Sequence, residues 1–322
     1  MNHTPLFLAP VFQERIWGGA RLAEQFGYRL PSERTGECWA ISAHPNGPTT
    51  VKNGPFQGKT LSELWEEHPE LFGHFPSDRF PLLTKILDAN ADLSVQVHPD
   101  DHYARTYENG ELGKTECWYI IDCKEGAELV YGHQAKTKEE LREMMEEGRW
   151  DELLRKVPIR PGDFFYVPSG TVHALCEGTL VLETQQSSDT TYRLYDYDRL
   201  DENGKKRDLH LAKALDVITV PHVDAPCEHQ VTKTDGAEIT TFIDNEYFLV
   251  QKWDITNEWK VEHTTSFLLA SVLAGEGKLL TAAETYPLQK GDHFLLPYSF
   301  APFTLKGKLQ LIVSAPAWPV RS

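Results

Sequence analysis

The stretch Leu93-Ser94-Val95-Gln96-Val97-His98-Pro99-Asp100-Asp101 carries an amide and an imidazole two residues apart. In a β-strand, residues i and i+2 point to one face, so Gln96 and His98 project together, and Pro99 ends the ladder after them. Lys114 and Glu116 have the same spacing, which places an ammonium and a carboxylate on one strand face. A second histidine, His173, closes the pattern Gly-x5-Pro-x-Gly-x2-His that starts at Gly162. One amide oxygen, two imidazoles and a carboxylate form a set that Zn²⁺ accepts and that Fe²⁺ or Mn²⁺ tolerates. A lone histidine on a strand is more often a hydrogen-bonded polar residue than a ligand. The metal reading therefore requires Gln96, His98, Glu116 and His173 to converge. Glu183 and Arg193 would add a carboxylate able to carry a proton and a planar, permanently charged donor. The alternatives are a ligand-orienting role for Glu183, a solvated ammonium for Lys114, and for Arg193 a structural salt bridge with Asp189 or Asp196. Asp100-Asp101-His102 looks like a metal cluster by composition, but it follows Pro99 into a turn and reads as a helix cap.

Groups this far apart in sequence meet only if strands bring them together. Leu83–Leu87, Leu93–His98, Cys117–Ile121, Phe164–Val167, Leu180–Thr184, Phe248–Trp253, Ser266–Leu273 and Leu309–Val313 read as strands. The 22 Gly and 20 Pro residues recur between such runs, which predicts a β-sandwich or barrel. Helical signals are fewer. Thr60-x-x-Glu63 and Thr137-x-x-Glu140 are capping boxes, the second opening a helix expected over Lys138–Lys156 and interrupted by Gly148; a short third helix is expected near Leu209–Val217. The Leu, Met and Trp stripes of these segments read as core packing.

One segment occurs twice. Arg160-Pro161-Gly162-Asp163 through Val167-Pro168-Ser169-Gly170 resembles Gln289-Lys290-Gly291-Asp292 through Leu296-Pro297-Tyr298-Ser299. Two copies of one turn–strand–turn unit imply two similar β-domains. The first copy continues to His173, whereas the second has Ser299 in the glycine place and Pro302 in the histidine place. Residues 1–225 are thus expected to carry the chemistry and the helices, and residues 226–322 a second barrel without metal ligands. Asp196–Lys206 reads as a turn-rich stretch and His222–Thr234 as the linker.

A chain of 322 residues, 40% apolar and 25% charged, suits about two globular domains. With 32 basic against 48 acidic residues its formal charge is −16, which argues against nucleic acid or an anionic membrane as partner. A small anionic substrate stays compatible, because exposed charges are screened over about 8 Å at physiological ionic strength. The longest apolar run, near Ser266–Ala274, falls short of the ~20 residues of a membrane helix. Met1-Asn2-His3-Thr4-Pro5 lacks the basic start of a secretory leader. Five cysteines without a CxxC pair read as reduced thiols, so a cytoplasmic setting is expected.

The Gly162–His173 element matches the second sequence motif of the cupin barrels, whose histidine faces the barrel interior beside ligands from another strand. The chain resembles, more closely, the type I mannose-6-phosphate isomerases in their short bacterial form. The resemblance is carried by Trp17-Gly18-Gly19, Gly36-Glu37-Cys38-Trp39, Leu93 through Asp101, Lys114-Thr115-Glu116, Gly162–His173, and Glu183 through Asp189 to Arg193, all in family order. It implies a mainly β fold of two cupin-like jelly-roll domains with a few helices attached to the first. It also implies one Zn²⁺ per chain and interconversion of mannose 6-phosphate and fructose 6-phosphate. By position, Gln96, His98, Glu116 and His173 resemble the zinc ligands, Arg193 the active-site arginine, and Lys114 and Glu183 other active-site positions. Two departures stand out. The long helical insert of larger members is reduced to Lys138–Lys156, and the Glu37-x-Trp39…His44-Pro45 run lacks a glycine usual before its histidine.

The chemistry of the side chains agrees. An aldose–ketose isomerisation removes a proton beside a carbonyl and returns it one carbon away, which calls for a base and for positive charge near the paired sugar oxygens. No Gly-rich phosphate loop is present; Lys85 and Ser94 are the candidate substrate contacts, with strand packing or solvent exposure as their alternative. Competing readings are a metal-dependent cupin oxygenase and a non-catalytic sugar-binding cupin. Gln96 in place of a first histidine, together with Lys114 and Arg193, suits a sugar phosphate better than oxygen activation, and a sensor has no use for a full metal set. A monomer is compatible with all three.

Overall fold

Each run read as a strand overlaps one, although the run Ser266–Leu273 begins two residues before its strand Leu268–Leu280. The structure, a computed structural model, describes residues 4–318 apart from 202 and 263; Met1–His3, the start of the stretch read for a leader, lie outside the described residues. Two sheets form the first barrel. One has six strands, in the order Phe164–Val167, Glu116–Cys123, Thr179–Gln186, Leu82–Ala89, Thr35–Ile41 and Val11–Gly19. The other has five, in the order Tyr192–Tyr195, Val95–Val97, His173–Leu175, Glu128–His133 and Leu154–Pro158. All neighbours in both are antiparallel.

Period-two alternation assigns the faces. Leu87, Trp118, Ile120 and Val181 of the six-stranded sheet meet Leu129, Tyr131 and Leu175 of the five-stranded one inside the barrel. The intervening residues Ile86, Cys117, Tyr119, Leu180 and Leu182 point out of it and pack on Phe242, Phe248, Val250, Leu269 and Ile312 of the C-terminal half. The central strands of the six-stranded sheet are therefore buried on both faces, and their polar residues Lys85, Glu116 and Glu183 lie on the inner one.

The C-terminal half contributes eight strands to a ten-stranded sheet around its own core of Trp253, Val272, Phe294, Phe303 and Leu311, and Leu6–Ala9 and Thr50–Val51 are the other two. The first strand of the chain, Leu6–Ala9, adds to that sheet by pairing with His293–Leu296. The internal repeat has one geometry in both copies. Asp163 accepts from the Arg160 N–H at 3.0 Å and Asp292 from the Gln289 N–H at 2.9 Å, and the Pro168 and Pro297 carbonyls accept from Thr171 and Phe300.

Two expected elements differ. The helix read over Lys138–Lys156 is a helix Lys138–Glu146, a one-turn helix Trp150–Leu153 and then a strand Leu154–Pro158. Gly148 takes a left-handed φ of 68° that ends the helix, and the following residues pair with Glu128–His133. Within the expected linker, Gln230–Thr234 is an edge strand on Ala237–Asp244. The Thr60 box opens Leu61–Glu67, the third helix is Leu211–Val217, and Asp100 caps Asp101–Tyr107 by accepting from the Tyr103 N–H at 2.7 Å. Among the described residues no helix is long and apolar enough to cross a membrane.

Candidate active site

The candidate ligands come from both sheets. On the five-stranded sheet Arg193, Gln96 and His173 lie abreast on three neighbouring strands. His98, two residues beyond Gln96, is held by its own carbonyl, which accepts from the Gly170 N–H at 2.9 Å. The six-stranded sheet supplies Glu116, with Lys114 in the segment just before its strand rather than on it, and sets Trp118, Glu183 and Lys85 abreast on its inner face.

His98, Glu116 and His173 are buried, with one donor atom from each lying within 4.8 Å of the others. The Nδ1–H of His98 donates to Thr190 O and that of His173 to Thr171 O, both at 2.9 Å. A carbonyl only accepts, so both rings are fixed in the tautomer that leaves the Nε2 lone pair free. Burial pushes His98 well below the usual imidazole range and His173 down to about 4, so both are neutral at pH 7. His173 Nε2 then faces Glu116 Oε1 at 3.3 Å, lone pair against lone pair, and neither atom has a hydrogen-bond partner. Such a pair needs a cation between its atoms, and a histidine–carboxylate set suits a divalent metal. The residues fit the group. His98 Nε2 and Glu116 Oε2 also draw the Lys114 ammonium, at 3.1 Å and 2.7 Å. Burial opposes the lysine's charge, but Glu116 and Glu183 outweigh it and raise its pKa.

Gln96 and Lys114 line a cavity of about 340 Å³ with Lys85, Ser94, Glu183 and Arg193, while His98, Glu116 and His173 form the separate buried cluster that Lys114 contacts. Burial, then the charge of Glu116, raises the Glu183 carboxyl above the ordinary range, although Lys114, Lys85 and the Trp118 N–H act against this. Lys85 sits 3.8 Å from Glu37 and 4.0 Å from Glu183, above the ring of Trp39. Arg193 donates to Ser94 Oγ at 3.2 Å and to Asp208 O at 2.8 Å. Asp196 pairs instead with Arg199 and Arg207.

Arg15, Glu37, Trp118, Asp189 and Arg207 are the other charged and hydrogen-bonding side chains of note in the lining. Arg15, Trp118 and Arg207 are not among the expected site residues, although Trp118 follows Glu116 by the same two-residue step that groups Lys114 with Glu116. A larger cavity of about 800 Å³ opens on the C-terminal half, but it is lined by no imidazole or thiol.

Two β-barrel halves, one of them holding a buried histidine–carboxylate cluster, define a protein of the cupin class. Residues 6–129 match the family described as phosphomannose isomerase type I, catalytic domain, and residues 238–316 the mannose-6-phosphate isomerase cupin domain. The chain belongs to the type I phosphomannose isomerase family. It is 59% identical to the mannose-6-phosphate isomerase ManA of Bacillus subtilis over 98% of this chain and 99% of that protein. It is 54% identical to the mannose-6-phosphate isomerase of Streptococcus mutans over 96% and 98% of the two. A crystal structure of the mannose 6-phosphate isomerase from Bacillus subtilis superposes with a TM-score of 0.95 at 60% identity, covering 97% of this chain and 99% of that one.

Proposed function

We propose that the chain interconverts mannose 6-phosphate and fructose 6-phosphate, with one Zn²⁺ held by Gln96, His98, Glu116 and His173. The observation that carries the metal reading is the unpartnered, buried pair His173 Nε2 and Glu116 Oε1, 3.3 Å apart. When bound, the ion supplies fixed positive charge beside sugar oxygens that become anionic during the reaction. Glu183 takes the proton from the carbon beside the carbonyl and returns it to the neighbouring carbon. Its raised pKa suits that work, since a base that is too acidic cannot hold the proton. Arg193 holds the enediolate or a substrate oxygen with its planar fork, and Lys114 neutralises charge on the same face. Lys85 and Ser94 are the further substrate contacts. Residues 1–225 carry this chemistry, and residues 226–322 act as a second barrel without ligands. A sugar phosphate is the small-molecule partner and a monomer suffices. The cytoplasm is the proposed setting, in line with the five free thiols.

The test is an assay of fructose 6-phosphate formed from mannose 6-phosphate by metal-loaded protein, by chelator-treated protein, and after Zn²⁺ is restored. Turnover lost on chelation and recovered with Zn²⁺ is expected. Binding of the sugar phosphate without turnover in the loaded protein, or turnover indifferent to complete metal removal, would overturn the proposal. Oxygen uptake by an iron-loaded form would favour the oxygenase.

A further inference from the structure

We infer that Trp118 is a positioning residue, whose indole N–H fixes the Glu183 carboxylate so that its other oxygen is presented to the cavity. The inference rests on Glu183 being the proton carrier proposed above. Trp118, Glu183 and Lys85 lie abreast on three adjacent strands of the six-stranded sheet, and side-chain contacts continue from Lys85 to Glu37 and Arg15 on the next two. Trp118 Nε1–H donates to Glu183 Oε2 at 3.0 Å. Lys85 Nζ stands 4.0 Å from Glu183 Oε1, beyond hydrogen-bond reach. Lys85 is itself drawn toward Glu37, whose carboxylate accepts from Arg15 Nε at 2.8 Å and from Trp39 Nε1 at 2.6 Å. One carboxylate oxygen of Glu183 is thus tethered, and the other keeps its lone pairs.

The nature of the tether matters. A contacting ammonium would form an ion pair and pull down the basicity of the carboxylate. A neutral indole N–H restrains its rotation at a smaller cost in basicity. Trp118 is itself immobile: it is 1% exposed, and its ring meets that of His173 edge-on at 5.2 Å. One rigid side chain therefore sets the spacing between the proton carrier and the candidate ligand His173. A residue that only filled the core would need the ring and not its N–H.

Trp118→Phe keeps an aromatic ring and removes the donor. The expected result is a kcat lower by on the order of 10-fold or more, with KM within about twofold of the parent. Bound zinc and Tm should be unchanged. In D₂O, deuterium incorporated per turnover should rise, because a loosely held carboxylate exchanges its proton before returning it. In the Glu183→Gln background the same change should add less than about twofold. If Trp118→Phe folds poorly, 3-benzothienylalanine at position 118 keeps the indole shape without the N–H, and the same outcomes apply. A kcat within twofold of the parent, or activity falling in step with zinc content or Tm, overturns the inference. Glu183→Gln with normal turnover and exchange would overturn the proton-carrier reading instead. An inactive Glu183→Gln beside a normal Trp118→Phe sinks only the positioning role.

Discussion

Lysine and arginine carry the same charge, but only arginine presents a planar fork whose donors diverge in fixed directions. Arg193 uses two of these, Nε on Ser94 Oγ and one terminal nitrogen on Asp208 O, which hold the guanidinium at the cavity. Burial, and then Arg207, disfavours its charge, a cost that suits a group awaiting an anionic substrate. Arg193→Lys is expected to lower kcat by about 10²-fold, the scale of a misplaced catalytic contact, while zinc per chain stays at the parent value. Parallel kinetics and metal analysis check this, and equal loss of both would mean that Arg193 only holds the fold. The two-residue spacings of Gln96 with His98 and of Lys114 with Glu116 are legible in the sequence, although the strands end at Val97 and begin at Glu116, so that His98 and Lys114 lie just outside them. Arg15 and Arg207 are not legible, because Arg15 sits on a strand whose partners are distant in the chain and Arg207 on a loop held by its pair with Asp196, and no local spacing records either.

Among the elements near the site, the turn before His173 makes a specific demand on its backbone. Gly170 takes φ 84°, and a Cβ there would lie 2.6 Å from Thr219 Oγ1 and 2.9 Å from Val217 O. Its N–H donates to His98 O and its carbonyl accepts from Thr219 N–H, so this turn ties the two histidine segments together. Gly170→Ala must strain the backbone or displace the segment Val217–Thr219. A loss of roughly 1–3 kcal/mol in stability is expected, with weaker Zn²⁺ binding. Chemical denaturation and metal titration measure the two effects. Lower stability at unchanged Zn²⁺ affinity would show that the turn does not hold His173 in place. The second copy tolerates Ser299 at φ 53°, as befits a turn that positions no ligand. The repeat showed both turns at the level of sequence. The end of the helix at Glu146 was harder to see, because Leu153 and Leu154 continue a helical spacing while Leu154–Pro158 gains a partner in Glu128–His133. Tertiary pairing overrode local pattern there.

At the scale of the whole molecule, two barrels were visible in the repeat, but their joint was not, since Leu6–Ala9 finds its partner strand near the other end of the chain. Beside that joint lies a buried polar group with a consequence for acid stability. His293 is hydrogen-bonded through Nε2 to the Tyr28 hydroxyl at 2.7 Å and through Nδ1 to Ser271 Oγ at 2.8 Å, so it links the two halves. Burial pushes its pKa from 6.5 down to about 3, with the charge of Lys52 adding to the effect. Below pH 6.5 the unfolded chain takes up a proton at this histidine that the folded chain refuses until about pH 3. The stability is therefore complete above pH 6.5 and is lost as the pH falls toward 3, by at most roughly 5 kcal/mol at about 1.4 kcal/mol per pH unit. His98 and His173, also depressed, act with the same sign, so the contribution of His293 must be read as a difference. His293→Gln keeps hydrogen-bonding capacity and removes the titration. Its stability, measured by denaturant unfolding between pH 7 and pH 4, should fall less steeply than that of the parent, even if it starts lower. Parallel slopes for the two proteins would show that the joint between the barrels does not sense acid through His293.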